Sequence, residues 1–179
     1  MDFHKYLQTI DDFSDLTNEQ LSVLEQSMTV STHPDGYLFF KENTRGDNIY
    51  LLIEGNVSVT HNRGKKCGYL EIKRHHPGEW FGVVSIIDNV KHAATCQAVG
   101  DVKVASLPAM AFLLLYDSNA PLAHKIQYSI NQQISKDYRA LVQKIRDVLF
   151  AIEDGEDYQH ILNKSLLKYD GPERRAVET

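Results

Sequence analysis

Cysteine is scarce: two residues, Cys67 and Cys96, in a chain of 179. A pair is too few for a four-thiolate metal site, and their neighbours do not form a disulfide framework. Both are read as reduced thiols of a cytoplasmic chain. Long apolar runs are missing as well. None approaches the roughly 18 residues of a membrane span. The N-terminal MDFHKYLQTIDD carries acids early and lacks the apolar segment of a secretory signal. Positive charge is not in excess. A formal net charge of −5 argues against a general binder of nucleic acid or anionic membrane. No internal repeat, P-loop, Ser-His-Asp order or paired-carboxylate site stands out, so an enzyme has no positive support. What is present, 42% apolar residues, suffices for one core-forming domain.

The pattern along the chain changes period three times. Residues 1–28 read as helices. Thr17-Asn18-Glu19-Gln20 has capping-box spacing, Leu16 is placed as a staple, and Leu21, Leu24 and Met28 recur at helical intervals. Residues 29–108 read as the β part. Tyr37 to Lys41, Ile49 to Glu54, Val57 to Thr60, Tyr69 to Ile72, Ala93 to Ala98 and Val102 to Leu107 are strand-like. Turn signals separate them at Pro34-Asp35-Gly36, Arg45 to Asn48, Gly55, His61 to Lys66, Pro77-Gly78 and Gly100-Asp101. Short strands at roughly 8–12-residue spacing predict a sandwich or barrel rather than βαβ units. Val83 to Ile87 fits a turn or two of helix within it.

Residues 109–153 return to helix: a short apolar one over Ala109 to Tyr116, then a long one to Glu153. In the long helix Leu122, Ile126, Ile130 and Ile134 step by four, as suits packing on a globular body. From there Ile134, Tyr138, Leu141, Ile145, Val148 and Ile152 step 4, 3, 4, 3, 4, a heptad seam that predicts a partner helix from a second copy. The alternative is that the seam packs on its own barrel. Residues 154–179 read as a short extension, with one more helix over 158–169 and a polar tail.

Gly36, Gly46-Asp47, Tyr50 to Ile53, Gly55, Pro77-Gly78-Glu79-Trp80-Phe81-Gly82, Ala93-Ala94-Thr95 and Phe112 before a long helix form an ordered set. In that set the chain resembles the cyclic nucleotide-binding domain family, over about Leu16 to Leu149. This is the sensor half of bacterial catabolite activator and Fnr-type regulators, and of kinase regulatory subunits and channels. The resemblance implies a mainly β fold with flanking helices (α+β). The barrel would be a double-stranded β-helix or jelly roll, with N-terminal helices and a long C-terminal helix. It implies that the segment from Phe81 is a phosphate-binding cassette formed by Phe81, Gly82, Val83, Val84 and Ser85, with Lys91, His92, Ala93 and Ala94 completing it. Backbone amides at a helix start offer unsatisfied donors to an anion.

Two side chains that usually complete the family's site are absent. The glutamate that accepts from the ribose 2′-hydroxyl is replaced by Val83, and the arginine that pairs with the phosphate by His92. Valine accepts no hydrogen bond, and histidine lacks the fork and the permanent charge of arginine. The expectation is therefore a stand-alone regulatory domain that binds cAMP and cGMP weakly or not at all and acts on an effector protein. The alternative is a sensor of cAMP, a cyclic dinucleotide or another anionic nucleotide that uses Lys91, His92 and the amides after Gly82. A nucleotide or other small anion is the one ligand implied. The 26 residues after Glu153 are fewer than a winged helix-turn-helix needs, so direct DNA reading is not expected.

His61, His75, His76 and Glu79 invite a metal site and a cupin-like enzyme. Adjacent histidines on a strand point to opposite faces, so one site does not use both. Cys96 reads as a packing residue.

Overall fold

The computed structural model describes residues 2–62, 68–118 and 120–155. Cys67, Asn119 and the helix expected over 158–169 lie outside them. The N-terminal part folds as α1 (Phe3–Thr9), a 3-10 turn (Asp11–Phe13) and α2 (Asn18–Ser27). The capping box forms. Thr17 Oγ1 accepts from the Gln20 N–H at 3.3 Å, and Gln20 Oε1 accepts from the Thr17 N–H at 2.9 Å.

Six strands follow: β1 (Thr29–His33), β2 (Leu38–Phe40), β3 (Asn48–Asn62), β4 (Tyr69–His75), β5 (Trp80–Phe81) and β6 (Thr95–Pro108). All pair antiparallel, in the order β1-β6-β3-β4, with β2 on β6 and β5 on β3. They form the expected jelly-roll barrel. Three helices complete the fold: α3 (Val83–Ile87), α4 (Ala109–Tyr116) and α5 (Pro121–Glu153).

Two expected turns are not turns. Gly55 and Gly100 do not end strands; β3 and β6 run through them. At Gly55 the ladder slips instead, with register shifts between Leu52 and Glu54 and between Glu54 and Asn56. Such a bulge exchanges the faces of a strand, because side chains alternate with period two. Before it, even-numbered Leu52 faces the barrel interior. After it, odd-numbered Val57 does so. Without the slip Val57 would turn away from the core it now fills.

Two cores result. Inside the barrel Leu52, Val57, Phe81, Cys96 and Val104 pack together, with Phe39, Phe40, Tyr50 and Val59 against them. On the sheet's other side Ile49, Leu51 and Ile53 meet Leu7, Phe13 and Leu24 from the N-terminal helices, Phe112 from α4, and Leu122, Ile126 and Ile130 from α5. Each such side chain contributes about 1.5–3 kcal/mol by leaving water. The strip that steps by four along α5 is thus the one that anchors it.

Gly55 has φ +86°, and a β-carbon there would stand 2.5 Å from the Asp101 carbonyl oxygen. Gly55→Ala is expected to destabilise the fold by about 2 kcal/mol or more, read as a drop in the urea midpoint. An unchanged midpoint would show that the bulge does not need glycine.

Candidate functional site

The segment from β5 to the start of β6 is held in large part by backbone hydrogen bonds. Tyr50 pairs with Phe81 and Leu51 with Trp80. Gly82, at φ +81°, caps α3 and lies close under β3: a β-carbon on it would be 3.1 Å from the Asn48 carbonyl oxygen. A left-handed residue in close approach to another strand calls for glycine. Ser85 Oγ donates to the Gly82 carbonyl oxygen at 3.0 Å, which tightens the turn. Further on, the His92 N–H donates to the Thr44 carbonyl oxygen at 2.9 Å, and the Asn43 N–H donates to the His92 carbonyl oxygen at 2.8 Å. Gly55 and Gly82 are thus each set close against the backbone of a neighbouring strand.

Val83 is buried, 6% exposed, and packs in the helix-side core, while Val84 is exposed. The His92 ring is 4% exposed and stacks on Phe40, with ring centres 3.7 Å apart and planes 9° apart. A β-carbon on Gly46 would come within 2.8 Å of His92 Nε2, so glycine at 46 makes room for the ring. Nε2 has no hydrogen-bond partner. Burial lowers the His92 pKa, against a smaller upward pull from Asp47. Burial thus favours the neutral ring. Lys91 and Ala93 are exposed and Ala94 is half-buried.

A cavity of about 220 Å³ lies between this segment and α5, and all nine of the expected cassette residues from Phe81 to Ala94 line it. Its other wall is α5, through Ile130, Gln133, Ile134 and Asp137. Here the structure shows residues that sequence reading missed. Gln133 acts as a neighbouring strand would: its Oε1 accepts from the Trp80 N–H and its Nε2 donates to the Trp80 carbonyl oxygen, both at 2.7 Å. The Trp80 indole donates to Ser129 Oγ at 3.3 Å. Lys73 bridges Glu79, at 3.2 Å, and Asp137, at 2.5 Å. Ser129, Gln133 and Asp137 step by four, a polar stripe beside the apolar one. That stripe is the signal that was available.

His75 and His76 do point to opposite faces, one buried and one exposed. His75 Nδ1 lies 2.9 Å from Glu79. Among the described residues no group of three or more His, Cys, Asp or Glu could hold a metal ion. Cys96 is buried, and burial pushes its thiol pKa up, so it packs rather than reacts. On α5 the side chains of Ile134, Tyr138, Leu141, Ile145 and Ile152 are exposed and Val148 is half-buried.

The fold is thus a jelly-roll barrel with a glycine-led helical turn between two of its strands, facing a long helix across a cavity. The profile of the cyclic nucleotide-binding domain family matches residues 31–119, and the chain belongs to that family over this barrel. Among curated proteins it is 25% identical over 127 residues to a cAMP-dependent protein kinase regulatory subunit of Pyricularia oryzae. That alignment covers 70% of this chain and 31% of the relative. Among solved structures it resembles a cyclic nucleotide-binding domain from Methylobacillus flagellatus, with a TM-score of 0.68 and 23% identity, covering 76% of this chain and 79% of that one. It also resembles the c-di-GMP-responsive regulator CLP of Xanthomonas campestris, with a TM-score of 0.65 and 18% identity over 75% and 65% of the two chains. Likenesses at these identities establish the fold.

Burial acts on the Glu79 carboxyl to raise its pKa, but the hydrogen bond from His75 and the nearby Lys73 outweigh it and bring it from 4.5 down to about 2. Its contribution to stability is therefore complete above pH 4.5 and is lost as pH falls toward 2. The stability gap between the protein and Glu79→Gln, from urea unfolding at several pH values, should narrow over that interval. A constant gap would contradict the assignment.

Proposed function

We propose that this domain is a non-catalytic regulatory module that keeps the cyclic nucleotide-binding fold without holding cAMP or cGMP tightly. The observation that carries the reading is where Val83 and His92 lie. Val83 is in the core and has no acceptor to offer. His92 is held toward its neutral form by burial, stacked on Phe40 and packed against Gly46. A ribose hydroxyl buried beside Val83 loses its partner, and a cyclic phosphate loses its charged fork. The two losses sum to roughly 3–6 kcal/mol, a factor of roughly a hundred to twenty thousand in affinity. The same placement weighs against His92 as the phosphate ligand of another nucleotide. Exposed Lys91 supplies only a point charge.

The module acts through protein surfaces. Its Pyricularia oryzae relative is a kinase regulatory subunit, which supports an effector protein as partner. The exposed seam of Ile134, Tyr138, Leu141, Ile145 and Ile152 supports pairing with a second copy through α5. No helix of the described residues is long and apolar enough to cross a membrane. Free, buried Cys96 fits the proposed cytoplasmic setting. No contact with DNA is part of the proposal.

Isothermal titration of the protein with cAMP and with cGMP is expected to give no saturable heat at micromolar concentrations. A micromolar or tighter dissociation constant for either would overturn the reading. Sedimentation equilibrium is expected to show a dimer that Ile145→Lys converts to monomer without loss of helical circular dichroism. A wild-type monomer would remove the seam from the account.

A further inference from the structure

The cavity beneath α5 has a largely apolar lining. Phe40, Val59, Phe81, Cys96, Ile130 and Ile134 give it an apolar wall. Most of the polar side chains that reach it are already occupied. Gln133 is bonded to the Trp80 backbone, Asp137 to Lys73, His75 to Glu79 and Ser85 to Gly82. The His92 nitrogen without a partner lies against Gly46. Lys91 remains. It is exposed at the cavity's edge beside exposed Val84 and Val90, and it forms no ion pair with a described residue.

Size points the same way. A volume of about 220 Å³ exceeds the roughly 150 Å³ apolar cavity that stays dry and takes benzene. It falls short of the roughly 300–1,000 Å³ of common ligand pockets. There is room for one substituted ring or a short alkyl chain. Ser129, Gln133 and Asp137 fix α5 to the barrel beside the cavity by contacts within the chain.

Resting on the reading that this cassette does not take cyclic nucleotides, we propose that the cavity binds a small apolar monocarboxylate. Its ring or alkyl body lies between Phe40, Phe81 and Ile130, and its carboxylate meets Lys91 at the mouth. Burial of the apolar body supplies most of the affinity. The single cation at the mouth selects one negative charge over two. Trp80, the chain's single tryptophan, lines the cavity at 2% exposure and reports on occupancy.

The test uses the full chain and three probes: 4-phenylbutyrate, the uncharged 4-phenylbutan-1-ol, and cAMP. Tryptophan fluorescence and thermal unfolding are followed in parallel. Phenylbutyrate should give a saturable change in Trp80 emission and a rise in Tm. Lys91→Ala should weaken it by roughly two- to fivefold, as for an exposed ion pair, and leave the alcohol's affinity unchanged. Ala94→Phe, which fills the cavity's side, should abolish binding of both, with its fold checked by circular dichroism. Failure of both phenyl probes at millimolar concentration, with cAMP also silent, would overturn the ligand class and leave the reading of the cassette standing. Tight cAMP binding would overturn both. Phenylbutyrate binding that Lys91→Ala does not weaken, or that a folded Ala94→Phe retains, would overturn the proposed seat.

Discussion

The pairing of β3 with β6 carries every other strand of the sheet. It runs from Asn48 opposite Pro108 to Thr60 opposite Thr95. β1 and β2 attach to β6, and β4 and β5 attach to β3. The cassette depends on it directly, because β5 is fixed to Tyr50 and Leu51 and leads straight into Gly82 and α3. The Gly55 bulge in the same ladder decides which residues of β3 face inward. The placement of this segment thus rests largely on main-chain hydrogen bonds.

The barrel interior lies beside this segment. It is filled with rings. Phe39 packs on Tyr50 and Phe81 with centres near 5 Å, Tyr50 stacks on Phe81 at 4.9 Å, and Phe40 covers His92 at 3.7 Å. Stacked and edge-on rings add a fraction of a kcal/mol to about 1.5 kcal/mol each beyond their burial. Across the cavity, Gln133 and Asp137 secure α5 by contacts to Trp80 and Lys73. Both walls are stabilised by the chain itself.

Local features were legible in the sequence. The Thr17 capping box, the α3 turn after Gly82, the anchoring strip Leu122-Ile126-Ile130 and the change of face at Ile134 each follow from spacing a few residues long. Gly55 and Gly100 misled as breaks because a glycine in a strand marks either a turn or a bulge, and only the partner strand decides. β1 at Thr29–His33 carries little apolar signal, since its residues are mostly exposed and its pairing is with β6, far along the chain. The stacking of His92 on Phe40 and the bonding of Gln133 to Trp80 join residues about fifty apart, and no local pattern encodes them. That Val83 and His92 stand at these positions was readable; how each packs was not.

The central claim is that the cassette's backbone is intact and that only its side chains withhold cyclic nucleotide. Parallel calorimetric titration of cAMP into the protein and into the Val83→Glu, His92→Arg double variant tests it most directly. The account predicts no measurable binding by the first and a saturable isotherm for the second. Equally tight binding by both would contradict it, because Val83 and His92 would then not be what sets the affinity.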